Sequence, residues 1–248
     1  MGFFTNIFKQ KEPPALLDFS SIKTDIHSHL IPGIDDGAKT MDESIELIKV
    51  QYELGIRNFV TTPHIMSDFF KNTPEIILGG LNELRIVLKQ ENIDVTINAA
   101  AEYYLDEGFV HKLDHEKLLT IGDNYLLFEI SYINPPDNLR DVIFKIQTNG
   151  YKPILAHPER YPFYYKHFDE YKRIRDSGVL LQINFNSLAG YYGIEAKKIA
   201  EQLIDEKMVD LIGSDMHHSR HAHCMRKVCS EKYFYKVAEM NLLNKTLY

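Results

Sequence analysis

"TDIHSHLIPGIDDG", residues 24–37, decides between two architectures for this chain. It continues a short β-type run, "KTDIH" (23–27), and leads into a helix. An open nucleotide-binding sheet places a glycine-rich phosphate loop at that junction. Here two histidines stand one residue apart in the place of those glycines, followed by a Pro-Gly turn and two aspartates. Six further β-type runs extend the pattern: "RNFVTT" (57–62), "VTINAAAE" (95–102), "YLLFEI" (125–130), "PILAH" (153–157), "VLLQINF" (179–185) and "VDLIGSD" (209–215). Most are almost continuously apolar, as parallel strands covered on both faces are.

Helical patterns lie between them. Thr40 and Glu43 form a capping box, Met41, Ile45, Ile48 and Tyr52 recur at helical spacing, and Gly55 closes the segment. Pro74 opens the next, which carries Ile77, Leu81, Leu84 and Leu88. Helices also fit residues 138–149, 168–176 and 194–207, with one or more after Ser219, while residues 102–121 show no clear period. Seven strands alternating with helices, without a Gly/Ser-rich break, predict one α/β domain. With no phosphate-loop glycines, a (β/α) barrel is favoured over a doubly wound sheet.

Composition narrows the function. The chain has 248 residues, 44% of them hydrophobic, and a net charge of −7 without a basic block, which argues against nucleic acid as partner. Its two cysteines, Cys224 and Cys229, are too few for a disulfide framework and wrongly spaced for a thiolate zinc site. "MGFFTNIFKQK" is not built as a signal peptide, and no apolar run approaches the ~20 residues of a membrane span. Phe3, Phe4, Ile7 and Phe8 fit a turn of amphipathic helix packed on the domain or on a partner chain. The expectation is a cytoplasmic protein without stable membrane insertion, its oligomeric state open, with residues 1–22 as an extension and 23–248 as the domain.

The chemistry gathers at the C-terminal ends of the predicted strands. The first ends at His27 and His29, with Asp36 in the following loop; the next four give His64, Glu102, Glu129 and His157. The seventh gives Asp215 and His217, and only the sixth offers amides instead, Gln182, Asn184 and Asn186. In a β/α barrel these ends converge on one mouth, where active sites are built. Any one of these groups has a structural explanation; nine from six strands do not share one. Glu129 sits directly in an apolar strand, where an unpaired carboxylate costs several kcal/mol. A cation beside it removes that cost.

Nitrogen and oxygen donors without thiolate suit Mn, Fe or Zn, and nine ligands imply two or three divalent ions. Such clusters activate water and neutralise phosphoryl oxygens, which is hydrolase chemistry. Arg160 and Arg220 each stand three residues beyond a candidate ligand, and their guanidinium forks match phosphate. Together, ions and arginines point to a phosphoester.

The motifs "DIHSHL…DDG", "TTPH", "AAEYY", "LLFEI", "ILAHPERY", "QINFNSLAGYYG" and "GSDMHH", in this order, resemble the polymerase-and-histidinol-phosphatase (PHP) superfamily. Within it the chain is most similar to the bacterial tyrosine-protein phosphatases of capsule and exopolysaccharide synthesis, the CpsB-like group. The resemblance spans about residues 23–225. It implies a distorted (β/α)7 barrel holding three metal ions, commonly manganese, that dephosphorylates the tyrosine-rich tail of a cognate bacterial tyrosine kinase. It carries the metal ligands onto the same nine residues: His27, His29, Asp36, His64, Glu102, Glu129, His157, Asp215 and His217. Arg160 matches the family's phosphate-holding arginine. Arg220 takes the second phosphate-holding position; the loop after "SDMH" is shorter than the family pattern, which leaves His221 or His223 to share that role.

The implied mechanism is in-line attack by water activated at the ions, without a covalent phospho-enzyme. Cys224 has no arginine at the spacing of a Cys-x5-Arg nucleophile. Histidinol-phosphate phosphatase, or another small-molecule phosphomonoesterase of the superfamily, is the alternative. Tyr103, Tyr104, Tyr161, Phe163, Tyr164, Tyr191 and Tyr192 fit either ring stacking on phosphotyrosine or packing at the rim. Asp35 reads as a turn residue or as a partner of a ligand.

Overall fold

The computed structural model describes residues 18–247; the apolar run from Phe3 to Phe8 lies outside them. The chain begins with a 3-10 turn, Phe19–Ser21, then runs β1 (Thr24–Asp25), α1 (Met41–Glu53), β2 (Asn58–Thr61), β3 (His64–Ile65) and α2 (Pro74–Gln90). It continues through β4 (Thr96–Ala99), β5 (Glu102–Tyr104), α3 (Glu107–His115), β6 (Tyr125–Glu129), α4 (Leu139–Thr148) and β7 (Lys152–Ala156). Two 3-10 turns, Pro158–Arg160 and Pro162–Tyr164, lead to α5 (Asp169–Asp176), β8 (Leu180–Asn184) and α6 (Phe185–Leu188). Then come α7 (Ile194–Asp205), β9 (Leu211–Gly213), α8 (Ser219–Val228), α9 (Lys232–Glu239) and a last 3-10 turn, Leu243–Lys245.

Every strand pair is parallel, in two sheets ordered β1-β2-β4 and β3-β5-β6-β7-β8-β9. The split between the sheets has a local cause. Pro63, just beyond the second predicted run (57–62), has no N–H to give a ladder, so β2 ends before it and β3 starts after it as a separate strand. The third breaks at Ala100–Ala101 into β4 and β5, and pairing continues across both breaks: Ala100 N–H donates to Thr61 O (2.9 Å) and Glu102 N–H to Pro63 O (3.2 Å). The remaining edges meet where Asp215 N–H donates to His27 O (2.8 Å) and His29 N–H to Met216 O (2.9 Å). Seven strand segments therefore run round as a distorted (β/α)7 barrel, as expected. Gly213 is needed at that seam, because a Cβ there would stand 2.5 Å from His27 Cβ.

Side chains alternate across the wall. On β6, Leu126 and Phe128 join the large core under the helices, while Leu127 joins a smaller cluster inside the ring with Ile26, Val60, Ala100, Ile154, Ala156 and Leu211. Ile121 seals the end of this cluster, with Leu243 and Leu247 packed against it. Phe19 and Ile22, expected to lie in the extension, are buried in the large core, so the packed body begins before residue 23.

The predicted helices form, with two local differences. Thr40 Oγ1 accepts from Glu43 N–H (3.2 Å), but the Glu43 carboxylate accepts from Lys39 N–H (2.8 Å), one residue before a standard capping box. The aperiodic stretch 102–121 resolves into β5 and α3, the latter started by Asp106, whose carboxylate accepts from Phe109 N–H (2.7 Å).

Candidate metal centre

The candidate ligands come together at the C-terminal mouth of the barrel, where eight of the nine form three overlapping sets: His27, His29, Glu102 and Asp215; His64, Glu102 and Glu129; and His29, Asp36, His64 and His217. In each set the ligand atoms lie within 4.8 Å of one another. His157 joins through its Nε2, 3.0 Å from Glu102 Oε1 and 3.8 Å from Glu129 Oε2. Glu102 is shared by the first two sets, its Oε2 facing His27 (3.1 Å), His29 (3.3 Å) and His64 (3.3 Å).

Strand alternation explains who arrives. On β6 the face that carries Leu127 into the ring carries Glu129 two residues later, at the mouth. His157 and Asp215, at the ends of β7 and β9, adopt left-handed backbone with φ of 33° and 49°. Non-glycine residues pay for that conformation, and such outliers concentrate at functional sites. After His157 the turn is tight enough for Arg160 N–H to donate back to His157 O (2.9 Å), which brings the Arg160 side chain over the mouth.

Outer partners fix which imidazole nitrogen is free. Gln182 Nε2 donates to Ile183 O (2.7 Å) and Asn184 Oδ1 (3.0 Å), which turns its Oε1 to His27 Nδ1 at 2.7 Å. An amide oxygen only accepts, so His27 Nδ1 donates and Nε2 is the nitrogen left to face the centre. Asp35 Oδ2 does the same for His29 (2.7 Å) while also accepting from His64 N–H (3.0 Å). The Asp215 backbone carbonyl does it for His217 (2.9 Å). Donation of the outer N–H to carboxylate, amide or carbonyl is how ligating histidines are oriented.

The donor set fits divalent metal. His64 Nδ1 is buried without a hydrogen-bond partner although carboxylate oxygens of Glu102 and Glu129 lie 3.3 and 3.2 Å away. A cation between these atoms satisfies all three at once. In the protein alone, burial disfavours the charged form of His27, yet Glu102 and Asp215 outweigh it and push the imidazole up to about 9. Burial likewise opposes ionisation of Glu102 and Asp215, but the surrounding histidines, and Arg160 for Asp215, hold both well below the usual carboxylate range. The protons concentrated here are what divalent ions displace.

Above the ligands is a cavity of about 460 Å³ lined by, among others, Phe69, Tyr132, Arg160, Tyr192, His218 and His221. Arg160 lies against two rings, 4.2 Å from Tyr192 and 5.0 Å from Tyr132, and donates to Asp215 Oδ2 (2.6 Å). Asn184 Nδ2 donates to the same oxygen (2.7 Å). Arg220 does not reach the cavity. It sits exposed on α8, about 100° round the helix from His221, which with His217 and His218 does line it. His221 is buried and held neutral, down to about 3, and its Nδ1 accepts from His217 N–H (3.2 Å).

Of the tyrosines expected at the mouth, Tyr104 and Tyr192 line the cavity, whereas Tyr103 and Tyr161 are buried in the core. Phe69, Phe70 and Tyr132, not singled out from sequence, do line it. A roomier groove of about 830 Å³ between α4 and α5 gathers no comparable ligand set.

Comparison with known proteins agrees with this geometry. The capsular polysaccharide synthesis family CpsB/CapC matches residues 23–246. The tyrosine-protein phosphatase YwqE of Bacillus subtilis is 29% identical over 194 residues, 78% of this chain and 76% of its own length. The tyrosine-protein phosphatase CpsB of Streptococcus pneumoniae is 29% identical over 199 residues, 78% of this chain and 82% of its own. A solved structure from work on these two proteins, described as metal-dependent tyrosine phosphatases, superposes with a TM-score of 0.77 at 27% identity, covering 91% of this chain and 96% of that one. Histidinol phosphate phosphatase from Lactococcus lactis shares the fold, with a TM-score of 0.55 at 12% identity over 89% of this chain and 95% of that one. With the match running almost the length of the described residues, the chain belongs to the CpsB/CapC family of capsular polysaccharide synthesis.

Proposed function

We propose that the protein is a divalent-metal-dependent protein-tyrosine phosphatase whose substrate is the phosphorylated tail of a bacterial tyrosine kinase controlling capsular or exopolysaccharide synthesis. The observation that carries this reading is the stack of three ligand sets directly beneath an arginine held between two tyrosine rings. The proposed ligands are His27, His29, Asp36, His64, Glu102, Glu129, His157, Asp215 and His217, holding up to three ions, with manganese the first choice and Fe or Zn able to use the same donors. Ions bound there supply activated water at neutral pH and charge neutralisation for the phosphoryl group.

The chain's own residues then have distinct tasks. Arg160 presents a planar fork to the outer phosphate oxygens, a geometry a lysine would not reproduce. Tyr132 and Tyr192 pack on that fork, and Asp215 anchors one of its nitrogens. Gln182, Asp35 and the Asp215 carbonyl keep the outer protons on His27, His29 and His217. A phenolate leaving group has a pKa near 10, so it needs less protonation than an alkoxide. Cys224 and Cys229 are both buried and unpaired, in keeping with a cytoplasmic setting. Among the described residues no helix is long and apolar enough to cross a membrane.

The test is turnover by metal-loaded protein on a phosphotyrosyl peptide and on histidinol phosphate, before and after chelation. We expect strong preference for the peptide and loss of activity on chelation. Better turnover of histidinol phosphate overturns the protein-tyrosine reading, and full activity after verified metal removal overturns the mechanism.

A further inference from the structure

We propose that Phe69 is a specificity-determining residue that stacks on the aromatic group of the phosphoester, a proposal that rests on the phosphatase reading of this site. Phe69 is 76% exposed and lines the same cavity as Arg160 and His217. Its exposure does not come from a loose loop. Met66 N–H donates to Phe70 O (2.9 Å), Ser67 N–H to Asp106 Oδ2 (2.9 Å), and Asn72 Nδ2 to His64 O (2.8 Å) and Ile34 O (2.9 Å). The neighbouring Phe70 ring lies nearly parallel to His64, 5.5 Å away and inclined by 12°. The loop is thus tied on both sides of Phe69, to β3 and to the start of α3.

Three other rings at the mouth are already engaged, and Tyr104, which also lines the cavity, is half-buried rather than held out in water. Tyr132 stacks on His157 and carries Arg160, Tyr192 carries Arg160 and meets His221, and Phe70 covers His64. None of the described rings packs on Phe69. An apolar ring held in water on a fixed support is unfavourable in the free protein, and a ligand ring that covers it recovers that surface. A phosphate seated at the ligand sets beneath Arg160 leads its ester group outward through this cavity. An aryl ester there meets Phe69 in an offset or edge-to-face arrangement, as aromatic pairs prefer; a short alkyl ester leaves Phe69 uncovered.

Binding separates this proposal from turnover. Phenylphosphonate and methylphosphonate, which the enzyme does not hydrolyse, are titrated calorimetrically into metal-loaded wild type, F69A and F69W. The wild type is expected to bind the phenyl compound about tenfold more tightly than the methyl one. F69A should lose most of that preference and F69W should retain it. Equal preference in wild type and F69A, or no preference in wild type, overturns the proposal. Failure of the phosphotyrosine reading is seen separately, as absence of wild-type turnover on a phosphotyrosyl peptide, while the phosphonate ratio still reports on Phe69.

Discussion

The two ends of the barrel interior are built from the same strand faces and are chemical opposites. At the closed end Ile26, Val60, Ala100, Leu127, Ile154, Ala156 and Leu211 fill the ring with apolar contact. At the mouth, one or two pleats further along, the faces carry His64, Glu102, Glu129 and Asp215. Close packing alone satisfies the first set. The second brings four carboxylates and five imidazoles together and leaves His64 Nδ1 buried without a hydrogen bond. One end of the barrel is therefore self-sufficient and the other is complete only around cations, so stability and chemistry should separate along the axis.

Substitutions test that separation. The largest effect is expected for Glu102→Gln, which keeps shape but removes the charge shared by two ligand sets. Loss of an outer partner of a metal ligand costs roughly 10–100-fold; losing the shared ligand should exceed this, on the order of a thousandfold or more in kcat/KM. Metal analysis should show fewer ions per chain. Next is Ile154→Ala, in the apolar cluster inside the ring and paired with no candidate ligand, expected to lower unfolding free energy by about 2–5 kcal/mol in urea titrations. Its metal content should match wild type; a parallel loss of ions would show that the two ends are not separable.

Asp35→Ala probes the boundary. It removes the acceptor that fixes His29 and also binds His64 N–H, so metal affinity in a competition titration should fall about 10–100-fold. An unchanged affinity would mean that the ions alone orient His29. The smallest effect is assigned to Arg220→Ala, exposed and away from the cavity. Its kcat/KM should stay within about twofold of wild type, since surface substitutions away from such features rarely matter. A loss beyond tenfold would restore Arg220 to the phosphate site.

Much of this contrast is legible in the sequence, and the exceptions share a physical cause. Strand runs and the residues at their ends follow local patterns, so the seven segments and the nine polar groups that converge can be read directly. Asp35 falls into the local class too, because it contacts His29 six residues away in the same loop. Gln182 acts on His27 across 155 residues, and no local pattern reveals such a partner. The position of Arg220 off the cavity is not legible, because its distance from His217 says nothing of helical phase until the start of α8 is known. Phe69 and Tyr132 sit in irregular loops, where periodicity has no purchase. The break at Ala100–Ala101 divides a run that reads as continuous, and β3, beyond Pro63, is too short to leave a pattern of its own.

The seam between the first and last strands bears on how the protein assembles. Its backbone bonds join His27 and His29 to Asp215 and Met216, close to 190 residues apart along the chain. Contacts of such separation form slowly, because a long loop must be closed before they return any energy. On the proposed ligand set, His27, His29, Asp215 and His217 lie on both sides of that closure. A chain still emerging from the ribosome can fold its middle strands but cannot complete the centre until residue 217 is free. Ions that bind only the closed ring then act as a clasp, drawing the last step of folding toward completion in proportion to their concentration.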